Sequence, residues 1–202
     1  MEKSGSKDRI TDLEDREILN GHRGAVLWLT GLPASGKSTI ARILENRLFG
    51  KQVRTFILDG DIIRKGLNAD LGFSSADRSE NIRRIGEVAR LFAQAGMVVI
   101  VAFISPYRSD RDQARKIVKD GRFVEIYMDC PVAVCEKRDP KGNYGKARAG
   151  QIKEFTGISA PYEPPLHPEL VLKTGEHGID ECAQQVIDYL TRKKLIALKG
   201  VK

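Results

Sequence analysis

The chain has 202 residues, of which 41% are hydrophobic and 30% are charged, and its formal net charge is +7. This length predicts one domain with a sizeable buried core, and the composition is that of a globular protein rather than a disordered or fibrous one. No apolar run approaches the roughly 18 residues of a membrane-spanning helix, and residues 1–9 contain no apolar signal segment, so we expect a cytoplasmic protein without membrane contact.

The excess positive charge does not by itself indicate a nucleic acid partner. Basic residues alternate with acidic ones, and no basic patch with stacking aromatics is visible, so we expect small phosphorylated substrates and no nucleic acid. The three cysteines form no CxxC pair and have no histidine at ligand spacing. Cys130, Cys135 and Cys182 are therefore predicted to be buried thiols rather than zinc ligands or disulfides.

The start of the chain divides into a tail and a strand. Residues 1–22 are polar and are predicted to form an N-terminal tail with a short helix near Leu13 and Leu19, and residues 23–202 are predicted to form the domain. The apolar run 25–30 predicts the first strand. It leads into a stretch that fits GxxxxGK[ST], and residues 39–48 follow with helical spacing, which is the context in which this motif binds phosphate.

The motif predicts a phosphate loop that binds ATP. Gly31 and Gly36 allow backbone N–H groups to converge on one anion, and the following helix adds a partial positive charge there. Lys37 then reaches the β and γ oxygens, and the Ser38 hydroxyl is a ligand for Mg²⁺. The alternative is a glycine-rich turn before a helix without a ligand. The predicted nucleotide-binding residues are Gly31, Leu32, Pro33, Ala34, Ser35, Gly36, Lys37, Ser38 and Thr39.

An acidic pair follows the second predicted strand, residues 53–58. Asp59 and Asp61 should face the same crevice as the phosphate loop, because ligand groups collect at the carboxyl ends of parallel strands. One carboxylate can hold Mg²⁺ through water, and the other can accept the proton of an attacking hydroxyl. The alternative is a turn in which Asp61 only caps a short helix.

The loop around Phe73 carries Arg64 and Arg78, which indicates an aromatic surface for a base beside cations for a phosphate. In the alternative, Phe73 is buried in the core and the arginines pair with neighbouring acids. A long helix follows, capped by Asp77 or a neighbouring serine and ending at Gly96. The acids of the alternative are Asp70, Asp77 and Glu80.

The third predicted strand, residues 97–104, is continuously apolar and therefore covered on both faces. Ser105 follows it as a hydrogen-bonding group, a nucleophile or the cap of the next helix, which Arg108, Arg111 and Arg115 open. Residues 123–128 predict a fourth strand, and Pro131 precedes a short helix over residues 132–138.

Periodicity disappears between residues 139 and 165. This basic segment carries three internal glycines before Phe155 and is predicted to be a lid over phosphates, the alternative being a solvated loop without a role. Residues 169–174 predict a fifth strand, and residues 179–198 a closing amphipathic helix. The whole predicts an α/β fold of three layers, of the P-loop nucleoside triphosphate hydrolase type, with a five-stranded parallel sheet and a lid segment.

These motifs resemble those of the adenylyl-sulfate kinase family. The resemblance runs from about Trp28 to Pro165, and the order and spacing of its stretches are specific. The matching stretches are TGLPASGKST at 30–39, LDGD at 58–61, GLNADLGFS at 66–74, DRSENIRR at 77–84, FISPYR at 103–108, KARAG at 146–150, FTGI at 155–158 and PYE at 161–163.

The resemblance implies transfer of the γ-phosphoryl group of MgATP to the 3'-hydroxyl of adenylyl sulfate, in sulfate assimilation. It implies that Asp61 lies near that hydroxyl, that Asp59 supports Mg²⁺, and that Phe73 and Phe155 stack on the adenine. The acceptor residues that it implies are Asp61, Arg64, Phe73, Arg78, Asn81, Ile104, Ser105, Lys146, Phe155, Thr156, Gly157 and Ile158. It also implies a homodimer and a functional link to ATP sulfurylase.

The catalytic residues predicted on this basis are Lys37, Asp61 and Ser105. Ser105 matches a serine that the family describes as a possible phosphoserine intermediate. We favour direct in-line transfer, because phosphoryl transfer needs positioning and charge neutralisation more than covalent chemistry. Under that view the Ser105 hydroxyl still makes hydrogen bonds in the site.

The chain departs from the family pattern at two positions. Pro33 stands where serine is common, which fixes one φ angle and removes one donor, and Gly145 replaces a frequent lysine in the lid. Two other functions stay open. Another small-molecule kinase would have no reason for both Phe73 and Phe155, and a non-catalytic nucleotide-binding module would not need Lys37 and Asp61, nor Asn81.

Overall fold

A computed structural model of the protein describes residues 11–118 and 121–197. Five strands form one sheet in the order β2-β3-β1-β4-β5, and all four neighbouring pairs are parallel. The predicted five-stranded parallel sheet is confirmed, with strand ends within two residues of the expected ones. The strands are β1 Ala25–Thr30, β2 Thr55–Asp59, β3 Val98–Ala102, β4 Phe123–Asp129 and β5 Leu170–Lys173.

Helices cover both faces of the sheet and complete the three layers. Helices α2 and α8 pack over one face, and α4 and α5 pack over the other. Because side chains alternate along a strand, Leu27 and Leu29 enter the first core, whereas Val26 and Trp28 enter the second. The helices are α1 Leu13–Asn20, α2 Lys37–Gly50, α3 Gly60–Ile63, α4 Ser75–Gln94, α5 Arg108–Ile117, α6 Val132–Arg138, α7 Asn143–Arg148 and α8 Ile179–Arg192.

Several helix boundaries differ from the sequence predictions. Of the two predicted caps of α4, Asp77 or a neighbouring serine, the serine is found, because the Ser74 hydroxyl accepts from the Asp77 N–H. Asp59 caps α3, because its carboxylate accepts from the Asp61 N–H, so the expectation that Asp61 is the cap is wrong. The cap position of α5 belongs to Tyr107, which also excludes Ser105 from that role.

The lid contains a helix that the sequence analysis missed. Gly142 adopts φ 64° at the start of α7, and the Asp139 carboxylate accepts from the Tyr144 N–H at 2.8 Å. A helix of six residues is too short to show an apolar period, and Gly145 within it hides the signal further. Helix α8 is shorter than expected and ends at Arg192, and the last residue of its predicted range, Leu198, lies outside the described residues.

The predicted N-terminal helix is present as α1 and is attached to the domain. Its Glu17 accepts from the Gly24 N–H at 2.7 Å and is ion-paired with Arg122. Of the predicted tail, residues 1–10 lie outside the described residues, so the division at residue 22 stays a prediction. All three cysteines are buried free thiols, as expected. Among the described helices, none has the length and apolar character needed to cross a membrane.

Candidate active site

The phosphate loop leaves β1 at the carboxyl edge of the sheet. Gly31 has φ 154°, and a Cβ built there would lie 2.9 Å from the Met128 Cβ, so only glycine fits between the loop and β4. Gly36 adopts a left-handed conformation, φ 98°, immediately before α2. The loop therefore leads directly into the N-terminus of α2, and a glycine-rich loop before a helix N-terminus is an arrangement that binds phosphate.

Lys37 lies inside this loop with 8% of its surface exposed. Its ammonium donates to the Gly31 carbonyl at 2.9 Å and the Leu32 carbonyl at 2.6 Å. Burial lowers the pKa of Lys37 to about 8, and nearby Cys135 and Asp59 only partly oppose that effect. These two hydrogen bonds hold the ammonium close to where a nucleotide phosphate would lie, and phosphate oxygens could replace the carbonyls as its acceptors.

Ser38 and Asp59 bring two oxygen atoms together across the crevice. The Ser38 hydroxyl donates to Asp59 Oδ2 at 2.7 Å, while Asp59 Oδ1 accepts from the Asp61 N–H at 2.9 Å. Both bonds fix the carboxylate at the end of β2. A hydroxyl and a carboxylate are hard oxygen donors, and Mg²⁺ needs only one or two of them from a protein when phosphates and waters complete its shell.

Asp61 is largely exposed, with 72% of its side chain accessible, and it forms an ion pair with Lys141 of the lid segment. This contact raises the pKa of Lys141. The sequence analysis did not single out Lys141, because its contact lies 80 residues away and nothing local marks this lysine among the other basic residues of the segment.

Phe73 is 61% exposed, so the alternative that buries it in the core is wrong. The Arg64 Cζ lies 4.5 Å from the centroid of its ring, and the Arg78 Cζ lies 5.8 Å from it. Both distances are within cation–π range. Arg64 also donates to the carbonyls of Leu71 and Gly72.

The same alternative paired Arg64 and Arg78 with neighbouring acids, but these acids bind other groups. Asp70 and Glu80 bind Arg84, and Glu80 also binds Arg83. The Asp77 carboxylate accepts a hydrogen bond from the hydroxyl of Ser74, the residue that caps α4. Across the described ranges, no ion pair involves Arg64 or Arg78, so their guanidinium charges stay available to a ligand.

Arg78 joins the Phe73 loop to the lid. Its Nε donates to the Phe73 carbonyl at 2.9 Å, its Nη1 to Thr156 Oγ1 at 3.2 Å, and its Nη2 to the Glu154 carbonyl at 2.8 Å. One guanidinium therefore holds both backbone segments that carry the two predicted stacking residues, Phe73 and Phe155. The structure brings these segments to the same place.

Phe155 packs on the phosphate loop as well. Its ring meets Tyr144 edge-on, with centroids 4.9 Å apart, in a cluster that includes Leu32 and Ile158. Gly157, at φ +90°, lies so close to Leu32 that a Cβ would come within 2.7 Å of its Cδ2. The predicted acceptor residues Phe155, Gly157 and Ile158 thus lie directly against the nucleotide loop.

Ser105 is buried, with 2% of its surface exposed, and has φ 40°. Its hydroxyl accepts from Trp28 Nε1 at 3.1 Å and donates to the Phe103 carbonyl at 3.4 Å. Its carbonyl accepts from Arg111 Nη1 at 2.7 Å. The preceding Ile104 carbonyl accepts from the hydroxyl of the last residue of β1, which fixes the loop against the phosphate loop.

Arg111 was assigned no role from the sequence, but it is the centre of a buried network. It is 2% exposed and donates to Glu125 Oε1 and to the Glu163 carbonyl, both at 2.7 Å, besides its bond to Ser105. The network ties the end of the lid segment to the Ser105 loop.

The remaining predicted residues differ in their surroundings. Asn81 is buried on α4, and its Oδ1 accepts from Asn68 Nδ2 at 2.9 Å, a partner that the sequence analysis did not find. Thr39 is exposed on the first turn of α2. Lys146 is exposed on α7, and in the part of the chain that the structure describes, no hydrogen bond or ion pair joins its side chain to the other assigned residues.

Comparisons with known proteins agree over most of the chain. The family model described as adenylylsulphate kinase matches residues 23–173. The chain is 56% identical to the adenylyl-sulfate kinase of Acaryochloris marina over 183 residues, which are 91% of this chain and 89% of that protein. It is also 56% identical to that of Staphylococcus carnosus over 182 residues, 90% of this chain and 92% of the relative.

A solved structure shows the same fold at high identity. The APS kinase of Mycobacterium tuberculosis, in complex with AMPPNP and APS, is 51% identical to this chain, with a TM-score of 0.81. The match covers 84% of this chain and 98% of that one.

Proposed function

This chain belongs to the adenylylsulphate kinase family, and from that premise we propose that it transfers the γ-phosphoryl group of ATP to the 3'-hydroxyl of adenylyl sulfate. The products are 3'-phosphoadenylyl sulfate and ADP, and the reaction serves sulfate assimilation. The observation that carries the proposal is the bridge made by Arg78, which holds the lid segment 154–156 against the Phe73 loop. This bridge supports the proposal of a second, aromatic subsite beside the phosphate loop.

In this proposal the phosphate loop, residues 31–39, holds ATP. Lys37 exchanges its bonds to the loop carbonyls for the β and γ oxygens, where its positive charge opposes the charge that develops during transfer. Ser38 and Asp59 would hold Mg²⁺, because they present two fixed oxygens at the mouth of the loop. When bound, Mg²⁺ would screen the negative charge of the phosphates.

Asp61 accepts the proton of the 3'-hydroxyl as that oxygen attacks the γ-phosphorus. Its exposed carboxylate would exchange the ion pair with Lys141 for a substrate hydroxyl, while its backbone N–H donates to Asp59. Lys141 adds a second positive charge at this point. The bond from the attacking oxygen to phosphorus forms as the bond to the leaving ADP oxygen breaks.

Ser105 serves this reaction as a buried hydrogen-bonding group. Its hydroxyl is engaged by Trp28 and is almost inaccessible, a geometry that favours direct in-line transfer over a phosphoserine intermediate. We propose that Ser105 maintains the conformation of the loop that follows β3.

The acceptor is held by stacking and by cations. Phe73 and Phe155 would enclose the adenine, and Arg64 and Arg78 would bind the phosphosulfate, since neither guanidinium has a carboxylate partner among the described residues. The further acceptor residues that we propose are Asn81, Ile104, Ser105, Lys146, Thr156, Gly157 and Ile158.

The resemblance also supports proposals about the setting of the enzyme. We propose a homodimer that operates in the cytoplasm, where ATP is available, and a functional link to ATP sulfurylase, which would supply adenylyl sulfate. We propose no nucleic acid partner, because the basic residues of the chain are interleaved with acidic ones. Analytical ultracentrifugation tests the oligomeric state.

A coupled assay for ADP tests the activity. We expect ADP only when ATP and adenylyl sulfate are both present. ADP release with gluconate or a nucleoside monophosphate instead would support another small-molecule kinase. Binding of ATP and adenylyl sulfate without turnover would support a non-catalytic module.

A further inference from the structure

The phosphate loop and the lid share one small apolar cluster, here called the loop–lid cluster. Its buried members are Cys130, Cys135 and Tyr144, and Leu32, Ala34, Val132, Val134, Phe155 and Ile158 pack against them. Leu32 and Ala34 belong to the nucleotide loop, whereas Phe155 and Ile158 belong to the proposed acceptor subsite. The two subsites are therefore neighbours in one packed unit.

Within this cluster, Tyr144 contacts the phosphate loop through a hydrogen bond and the proposed acceptor subsite through its ring. It is 1% exposed, its hydroxyl donates to the Pro33 carbonyl at 3.0 Å, and its ring meets Phe155 edge-on at an interplanar angle of 75°. Its own N–H is held by Asp139. Burial raises the pKa of Tyr144, so the hydroxyl keeps its proton and stays a donor.

The acceptor atom of this bond belongs to the phosphate loop. The pyrrolidine ring of Pro33 restricts the φ angle of the residue whose carbonyl accepts the bond. A shift of the phosphate loop therefore moves the Tyr144 hydroxyl, and the edge-on contact passes that movement to Phe155. A movement of Phe155 would reach the phosphate loop through the same two contacts of Tyr144.

We propose that Tyr144 is a positioning residue that couples nucleotide binding at the phosphate loop to acceptor binding at Phe155. The inference rests on the proposed function, because it takes the two ligands to be ATP and adenylyl sulfate. Nucleotide that orders the loop fixes the Pro33 carbonyl, which fixes Tyr144 and presents the Phe155 ring for stacking. Since coupling between two binding sites is reciprocal, adenylyl sulfate strengthens nucleotide binding by the same factor.

Tyr144→Phe tests this coupling, because it removes only the hydroxyl and keeps the ring against Phe155. The measurement is calorimetric titration of adenylyl sulfate into the free protein and into the protein saturated with a non-hydrolysable ATP analogue. The ratio of the two dissociation constants is the coupling factor. We expect the wild-type protein to bind adenylyl sulfate more tightly when nucleotide is bound. In Tyr144→Phe the coupling factor should be roughly fivefold smaller, which is the effect of losing one partly buried hydrogen bond.

Tyr189→Phe is the matched control, since it deletes a tyrosine hydroxyl on α8, outside the proposed site. It should keep the wild-type coupling factor, and the melting temperatures of both variants should show that they fold. Tyr144→Leu, which also removes the edge of the ring, should weaken adenylyl sulfate binding further than Tyr144→Phe.

The outcomes separate this inference from the proposed function. A Tyr144→Phe variant with an unchanged coupling factor, or a wild-type protein without coupling, overturns the role of Tyr144 but leaves the kinase activity standing. A wild-type protein that neither binds nor phosphorylates adenylyl sulfate overturns both. A loss of the same size in Tyr189→Phe would also overturn the inference, because the effect would then not depend on the Pro33 contact.

Discussion

The proposed nucleotide half and the proposed acceptor half of the site are built in different ways. The nucleotide half consists of nine consecutive residues, and its main lysine is held by carbonyls of the same loop. The acceptor half combines the Phe73 loop with the lid, more than 70 residues apart in the chain, and Arg78 connects them. The first half depends on local backbone geometry, and the second depends on a few long-range side-chain contacts.

The nucleotide half should respond most strongly to loss of its cation. We expect Lys37→Met to lower kcat/KM by roughly 10²- to 10³-fold, because no other side chain of the loop supplies a positive charge to the γ-phosphate. Steady-state kinetics with ATP varied measure this. Lys51→Met, beyond the far end of α2, is the control and should keep wild-type rates. Activity of Lys37→Met within tenfold of wild type would show that the loop geometry alone suffices.

The acceptor half should lose stability when its buried support is broken. We expect Arg111→Met to lower the free energy of unfolding by about 2–3 kcal/mol, because it removes the charged hydrogen bonds of Arg111 and leaves buried Glu125 with Arg115 as its remaining arginine partner. Urea denaturation measures the change. The double variant Arg111→Met/Glu125→Gln removes both charges and should recover most of the loss. If the single and double variants unfold alike, the cost does not come from the Glu125 carboxylate.

The bridge between the two acceptor segments can be removed selectively. We expect Arg78→Ala to raise the KM for adenylyl sulfate by roughly 10- to 100-fold, the loss of a charged group with several hydrogen bonds, and to leave the KM for ATP nearly unchanged. Arg83→Ala, on the same helix, breaks only a surface ion pair and is the control. Equal changes in both KM values would contradict the division of the site into two halves.

The buried lysine should give the nucleotide half a pH dependence. Its pKa of about 8 lies below the ordinary value of 10.5, so above pH 8 the free enzyme loses the charge that binds phosphate. We expect kcat/KM for ATP to fall by up to tenfold per pH unit above pH 8, while kcat falls less because bound phosphates favour the charged lysine. Between pH 8 and 10.5 the unfolded chain binds more protons at this residue, so its contribution to stability rises with pH in that window.

A Lys37→Arg variant sharpens the pH experiment, because arginine keeps its charge throughout the range. Its residual kcat/KM should be flat between pH 7.5 and 9.5. The thiols and carboxylates that face Lys37 are Cys130, Cys135, Asp59 and Asp61. If the alkaline decrease persists in Lys37→Arg, the titration of Lys37 does not cause it.

The same contrast explains how much the sequence could predict. The strands and the phosphate loop follow from apolar runs and from one motif, since their contacts are local or are set by strand order. The contacts of Arg78 and the pairing of Lys141 with Asp61 join residues about 80 positions apart, and the sequence carries no period that marks them. The helix α7 was missed for a different reason, because six residues are too few to show an amphipathic period.

The tight approach of Gly157 to Leu32 bears on redesign of the enzyme for other acceptors. A Cβ at residue 157 would overlap the Leu32 side chain, so a larger residue there would push the lid away from the nucleotide loop. A bulkier nucleotide analogue would have to be accommodated by trimming the rings of Phe73 or Phe155. In the proposed site, acceptor scope would therefore depend on the size of the Phe73 and Phe155 side chains, with residue 157 as a spacer between the lid and the nucleotide loop.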